Sequence, residues 1–237
     1  MPRRPRPARS ERSEHWLRVA VNERTDFLNA HIRHVLPLTA SDEIEWLSPV
    51  ASDGFAEYYD EAFLERLGIG TIRTPLAEFW PPSGPRWDGL ARTSSGKVLL
   101  VEAKAYVEEA VDFKSKASEG SLKRISAALA KTKAAFRASE AANWEQPFYQ
   151  YANRLAHLYY MRTLNRTDAY LLFICFADAP DVPSPCTAQE WHGAIRTIER
   201  ALGLGAHPYR PYVEHLILSV PAMLSNPSLQ QTAFGGR

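Results

Sequence analysis

A short apolar run that ends in two opposite charges constrains this chain most. Residues 98–101 read Val-Leu-Leu-Val and are followed at once by Glu102-Ala103-Lys104. A run rich in Val and Leu predicts a buried strand, and side chains along a strand alternate between the two faces of its sheet. Leu100, Glu102 and Lys104 therefore share one face, so a carboxylate and an ammonium group project into the same space.

The segment before this run predicts its partner strand. Residues 94–96 read Ser-Ser-Gly, which is typical of a three-residue hairpin loop with Gly in the left-handed position. Pairing Thr93 with Lys97 then sets Asp88 opposite Glu102, whereas a slip of one residue would turn Asp88 to the other face. Facing carboxylates repel, and such a pair persists where a cation lies between them or one acid stays protonated. A divalent metal ion is the natural cation.

Asp88 and the Glu102-x-Lys104 spacing resemble the active-site signature of the PD-(D/E)XK phosphodiesterase superfamily, which includes restriction endonucleases, repair nucleases and recombination exonucleases. The resemblance implies that Asp88 and Glu102 hold one or two magnesium ions, with manganese as a substitute. It also implies that the Ala103 carbonyl adds a ligand and that Lys104 orients or activates water. Trp87 stands where the signature has Pro. The alternative is a strand-end salt bridge between Glu102 and Lys104, with Asp88 in a simple turn.

One more carboxylate is expected from a helix predicted over residues 55–67. Its apolar residues recur every fourth position, and Glu57 and Glu61 lie one turn apart, mostly away from that stripe. Members of the superfamily often supply a metal-site carboxylate from the first core helix. The resemblance therefore implies Glu57 or Glu61 as a further ligand, with Glu57 preferred. A solvated helix face accounts for both residues equally well.

A second helix, predicted around residues 148–164, has an unusual polar face. Gln150, Asn153, Arg154 and His157 recur at i, i+3, i+4 and i+7, and all can hydrogen-bond phosphate or bases. We therefore expect a site wall, with Asn153, Arg154 and His157 contacting nucleic acid. Exonuclease-like members of the superfamily carry a Gln followed four residues later by Tyr. Here Arg154 follows Gln150, so only Gln150 carries over as a catalytic residue. A polar face packed on other protein groups is the alternative.

Residues 113–140 predict an inserted basic helical segment, either a hairpin or one long helix. Basic side chains outnumber acidic ones in this stretch, and phosphate contacts from such residues supply most non-specific affinity for nucleic acid. This nominates Lys123, Arg124 and Lys131 as nucleic-acid contacts. A solvated amphipathic helix is the alternative.

The predicted order of elements is helix, three strands, helix, strand. The fold class expected is α/β with a restriction-endonuclease-like core, in which helices flank a central mixed sheet of four to five strands. The first strand is predicted over residues 71–80. We expect a single domain over residues 15–222, with its core at about 55–220. A disordered basic arm at residues 1–14 precedes it, and a frayed tail at residues 223–237 follows it.

Composition bounds the remaining expectations. The net charge is +1 over 237 residues, so the total charge does not indicate a nucleic-acid partner. Cys175 and Cys186 form no ligand cluster and fit a reducing cytoplasm. No apolar run approaches the roughly 18 residues of a membrane span, so no membrane partner is expected. Oligomeric state is open, and a homodimer is compatible with the sequence.

The leading functional expectation is a cytoplasmic, bacterial-type, magnesium-dependent DNA endonuclease. One alternative is a non-catalytic module of the same fold that binds nucleic acid or a protein. Another is a metal-dependent enzyme that cleaves RNA.

Overall fold

Strands and helices are interspersed along the part of the chain that this computed structural model describes, which is the backbone of residues 3–4 and residues 10–111 and 117–225. The strands are β1 Arg3–Arg4, β2 Ile44–Ser48, β3 Glu57–Tyr58, β4 Gly89–Thr93, β5 Val98–Lys104, β6 Ala169–Ala177 and β7 Val213–Ser219. The helices are α1 Arg12–Asn22, α2 Thr25–Val35, α3 Glu61–Arg66, α4 Leu76–Phe79, α5 Glu119–Ala135, α6 Tyr149–Tyr159, α7 Ala188–Ala201 and α8 Val220–Ser225.

The main sheet is mixed and has five strands in the order β2-β4-β5-β6-β7. Strands β2, β4 and β5 form an antiparallel meander, β6 runs parallel to β5, and β7 runs parallel to β6. Parallel neighbours require crossover connections. Helices α5 and α6 lie in the connection from β5 to β6, and α7 lies in that from β6 to β7. The predicted α/β fold with a helix-flanked mixed sheet is confirmed at this level.

Helices cover both faces of the sheet. Leu99 and Val101 on β5 pack in one apolar cluster with α1 and α2, whereas Leu100 packs in another with α5 and α6. Every residue of β6 is buried, as expected for a central strand covered on both sides. The side chains that leave β5 on the Leu100 face therefore meet α6.

The β4–β5 hairpin has the predicted register. The Thr93 N–H donates to the Lys97 carbonyl at 2.8 Å, and Gly96 in the loop has φ +86°. The ladder continues in step along both strands. Asp88, one residue before β4, consequently comes opposite Glu102.

The segment before the hairpin differs from the prediction. The helix expected over residues 55–67 begins only at Glu61, and Glu57 lies on β3 instead. Tyr58 forms a bridge with Trp87, whose N–H donates to the Tyr58 carbonyl at 3.1 Å. This long-range pairing overrides the helical spacing of the apolar side chains. The strand expected over residues 71–80 is also wrong, because α4 lies there and β2 is the first strand of the meander.

The N-terminal part of the fold starts earlier than predicted. Helix α1 begins at Arg12, whose N–H donates to Asp181 at 2.8 Å, and Trp16 Nε1 donates to the same carboxylate at 2.6 Å. The backbone of Arg3–Arg4 pairs with β3. These contacts correct the prediction of disorder for those parts of residues 1–14. They also move the start of the core from residue 55 to α1.

Two further predicted segments are partly described. The basic insertion contains one helix, α5, from Glu119, while residues 112–116 lie outside the described residues. Helix α8 covers the start of the tail that was expected to be frayed, and the rest of that tail, from residue 226, is outside the description. Across the described ranges, no helix combines the length and apolarity needed to cross a membrane.

Candidate functional site

A cleft of about 770 Å³ lies where the open end of the β4–β5 hairpin meets α6. Most of the residues predicted for the site share its wall, although they come from four separate parts of the chain. These are Glu57, Asp88, Glu102, Ala103, Lys104, Gln150, Asn153 and Arg154. The fold therefore brings the hairpin signature and the polar face of α6 together, as predicted.

Glu102 is the electrostatic centre of the cleft wall. The residue is only 2% exposed, and both of its carboxylate oxygens face cations. Lys104 Nζ lies 2.5 Å from Oε1, and Arg154 Nε and Nη2 both lie 2.6 Å from Oε2. Burial by itself would raise the pKa of Glu102, but Arg154 and Lys104 outweigh burial and hold that pKa below its ordinary value. Glu102 is therefore ionised, and the protein itself supplies the cations that the facing carboxylates require.

Lys104 is charged for the complementary reason. Burial favours its neutral form, but the carboxylates of Glu102 and Asp88 outweigh burial and raise the pKa of Lys104. In the metal-free protein Lys104 is consequently a hydrogen-bond donor with a firmly held proton. The ion pair proposed as the alternative to a catalytic site is present, and it lies in the wall of the cleft.

Asp88 is fixed by a bond across the hairpin. Its Oδ2 accepts the Ala103 N–H at 2.9 Å. A side chain thus continues the ladder where the backbone of β4 stops, which orients the carboxylate toward the end of β5. The simple-turn alternative for Asp88 does not account for this contact.

Arg154 is buried and held on three sides. Besides Glu102, its Nη2 donates to the Arg86 carbonyl at 2.9 Å, and its guanidinium carbon lies 5.0 Å from the centre of the Trp87 ring. The residue is 3% exposed. Its Nε and Nη2 donors are directed at protein groups, and contact of Arg154 with nucleic acid stays a prediction.

Asn153 and His157 are deeper than the polar-face pattern predicts. Asn153 is buried at the cleft wall, and in the described structure its Oδ1 has no hydrogen-bond partner. His157 is fully buried, and its Nδ1 lies 3.0 Å from the Asn153 carbonyl. Four aromatic rings surround the imidazole: Phe63, Phe79, Trp80 and Trp87.

This burial lowers the pKa of His157 to about 3. The neutral ring is enclosed by protein, so His157 cannot touch a ligand in the cleft. The predicted nucleic-acid contact at this residue is therefore wrong.

The further carboxylate was predicted to be Glu57 or Glu61, and the structure places these two residues differently. Glu57 is buried and lines the cleft, but from β3 rather than from a helix. Glu61, the first residue of α3, is exposed. Sequence reasoning missed Glu14, which lines the cleft from the first turn of α1 and pairs with Arg18. Extending the apolar helical spacing back from Trp16 could have found it.

The basic residues of α5 do not form one surface. Lys123 pairs with Glu119 at 3.0 Å, and Arg124 Nη1 donates to the Ala77 carbonyl at 2.9 Å. At about 100° per residue, Arg124 and Lys131 share a side of the helix, and Lys123 is turned away from it. The described residues of the cleft wall do not include Lys123, Arg124 or Lys131. Their contact with nucleic acid stays a prediction.

Side chains alone do not build a complete metal site here. Within residues 10–111 and 117–225, no three His, Cys, Asp or Glu residues are grouped closely enough to hold an ion. No protein-family model matches this chain, and neither does any curated protein or solved structure. The chemistry of the cleft therefore rests on its own residues.

Proposed function

We propose that this protein is a metal-dependent phosphodiester hydrolase that cleaves DNA endonucleolytically in the described cleft. The observation that carries the proposal is the hairpin register, which sets Asp88 opposite Glu102 with Lys104 on the same face. The element order supports it. A helix, an antiparallel meander, a helix and a strand parallel to the third meander strand fit the restriction-endonuclease-like core of the PD-(D/E)XK superfamily.

The donor set fits magnesium by chemical type. Asp88 and Glu102 offer carboxylate oxygens and Ala103 a carbonyl, which are ligands that magnesium prefers. Asn153 Oδ1 is a buried acceptor without a described partner on the same wall. The Lys104 side chain is 15% exposed and that of Arg154 only 4%, so Lys104 is the partner that can move away from Glu102. When bound, magnesium supplies charge neutralisation at the phosphoryl group and a water of lowered pKa.

Four residues orient the carboxylates, the substrate and water. Arg154 keeps Glu102 ionised and oriented, and the Ala103 amide orients Asp88. Lys104 Nζ is a hydrogen-bond donor on the same face as both carboxylates, and its role is to donate hydrogen bonds to water or to phosphoryl oxygens. Gln150, in the first turn of α6, lines the same wall and positions substrate or water.

A second candidate is a non-catalytic binding module on this fold. The observation that favours it is the neutralisation of Glu102 by two cations, which makes the buried carboxylate stable without any metal ion. An RNA substrate presents the same phosphodiester group, so the first assay includes RNA.

The deciding experiment incubates the protein with supercoiled DNA, linear DNA and RNA in magnesium, manganese or EDTA. We expect nicking of circular DNA that EDTA abolishes. Lys104→Met should lower cleavage by about a hundredfold or more, since it removes a donor aimed at the reacting group, while circular dichroism shows a folded protein. Arg196→Met, on the exposed side of α7, is the control and should cleave at the parent rate. DNA binding without cleavage in any metal would favour the binding module instead.

A further inference from the structure

The guanidinium of Arg154 stands where a carboxylate site would hold a cation. We infer that Arg154 is a built-in cation that permanently occupies one side of Glu102, so that the cleft takes one divalent ion rather than two. The inference rests on the proposed function and specifies its metal requirement. It makes Arg154 a positioning residue of the site.

The first argument is that the two cations at Glu102 are held differently. Arg154 has three anchors, which are the Oε2 atom of Glu102, the Arg86 carbonyl and the Trp87 ring. Lys104 reaches Oε1 of Glu102 from the more exposed side, through a hydrogen bond from its Nζ. A buried guanidinium with three anchors loses all of them if it moves, whereas Lys104 can exchange one carboxylate oxygen for water or substrate.

The second argument is charge. Two carboxylates, Asp88 and Glu102, stand against two cationic side chains, Lys104 and Arg154, so the formal charges of the group cancel. One divalent ion makes it positive, which suits a phosphodiester whose negative charge grows during hydrolysis. A second divalent ion would need further carboxylates to offset its charge.

Two further carboxylates of the cleft wall are already engaged. Glu109 accepts the Ala105 N–H at 2.7 Å and the Ser13 hydroxyl at 3.2 Å. Glu14 pairs with Arg18. A second ion that used Glu14 or Glu109 would have to break these bonds, whereas the guanidinium of Arg154 already supplies positive charge at Glu102.

The test measures Mn²⁺ binding by isothermal titration calorimetry, without substrate. The parent should bind one ion. Arg154→Gln should bind two, with the first held about tenfold or more tightly, because a positive charge a few ångströms away is gone. Arg154→Lys keeps the charge and should behave like the parent. Arg196→Gln, an exposed change of equal charge on α7, should also match the parent.

Thermal melts give a second readout that does not depend on activity. Removing one partner of a buried ion pair is destabilising, so Arg154→Gln should melt below the parent in EDTA. Mn²⁺ should then raise its melting temperature by more than it raises that of the parent. If Arg154→Gln is unfolded in EDTA, refolding on addition of Mn²⁺, followed by circular dichroism, supports the inference equally. The double variant Glu102→Gln with Arg154→Gln removes both charges and should lose the extra metal response.

The outcomes separate the inference from the proposed function. A parent that binds one ion, with Arg154→Gln unchanged in stoichiometry and affinity, overturns the inference and leaves the function standing. An Arg154→Gln variant that binds Mn²⁺ while the parent binds none supports the built-in cation and overturns the metal-dependent hydrolase. Absence of Mn²⁺ binding in both proteins overturns both.

Discussion

Burial acts on the side chains around the cleft with opposite results, according to their neighbours. Glu102 and His157 are both almost inaccessible to water. Two cations beside Glu102 outweigh the cost of burying its charge, so the carboxylate is ionised. His157 has aromatic rings and Arg154 as neighbours, so burial keeps its ring neutral. Helix α6 thus carries the buried charge of Arg154 and the buried neutral ring of His157 only three residues apart.

His157 should make folding sensitive to mild acid. Histidine in an unfolded chain titrates near pH 6.5, whereas His157 in the folded protein has a pKa of about 3. The unfolded state therefore binds more protons between these values. Stability is complete above about pH 6.5 and falls as the pH falls toward 3, by up to about 1.4 kcal/mol per pH unit from this group.

His157→Phe removes the titrating group and should flatten the fall between pH 6.5 and 5 in the free energy of unfolding, measured with urea. His215, whose pKa is also about 3, leaves a residual slope. His34→Gln, at an exposed position, should keep the parent slope. A His157→Phe profile as steep as that of the parent would contradict the assignment.

At the scale of elements, local patterns were predictable and long-range pairings were not. The β4–β5 hairpin followed from its loop residues and strand alternation, and β5 itself followed from its apolar run. Residues 55–67 carried a helical spacing, but the bridge between Tyr58 and Trp87 decided their structure. Spacing along the chain holds no information about a partner so far away in sequence.

The candidate site was likewise predictable where it depends on local patterns and not where it depends on tertiary packing. The register predicted that Asp88, Glu102 and Lys104 would meet, because it depends on neighbouring strands. The helical period predicted that Asn153, Arg154 and His157 would share a face of α6, but not how deep that face lies. Residues from Tyr151 to Leu158 are all buried, so His157 and much of Arg154 meet protein groups, while Gln150 and Asn153 line the cleft. A face pattern gives direction around a helix and says nothing of depth.

Asp60 links β3 to the loop that forms one edge of the cleft. Its Oδ1 accepts the Gly84 N–H at 2.9 Å and its Oδ2 accepts the Ser83 N–H at 3.1 Å. Asp60→Ala should release both amides, speed their hydrogen exchange and lower the free energy of unfolding by about 1–2 kcal/mol. Asp60→Asn keeps one acceptor oxygen, so its free energy of unfolding should lie between those of the parent and Asp60→Ala. Unchanged protection of Ser83 and Gly84 in Asp60→Ala, measured by exchange NMR, would show that other contacts hold the loop.

For the whole molecule, the placement of charge matters more than its sum. The net charge is +1, and the cleft wall mixes carboxylates with cations, two of which are committed to Glu102. Among the described residues of the cleft wall, the exposed cations are Arg12 and Arg86. If a polyanion enters the cleft, these two residues are placed to meet its phosphates.

Salt dependence of DNA binding distinguishes the cleft from α5. Each phosphate contact contributes about 0.9 to the slope of log affinity against log salt on duplex DNA. Arg86 is exposed with its guanidinium over the Tyr59 ring at 5.3 Å, and it holds Arg154 through its backbone only. Arg86→Gln should therefore reduce the slope by about 0.9 without disturbing the ion pair at Glu102.

Lys123→Gln removes an equal charge from α5 and should leave the slope unchanged, since Lys123 is on the side of the helix turned away from Arg124 and Lys131 and pairs with Glu119. Both slopes are measured by fluorescence anisotropy of a labelled duplex across a salt series. All proteins carry Lys104→Met, which leaves the DNA intact. A reduced slope for Lys123→Gln together with a parent slope for Arg86→Gln would assign the binding face to α5. The cleft would then hold an ion-paired structural site, because a hydrolase must bring the phosphodiester to Asp88 and Glu102.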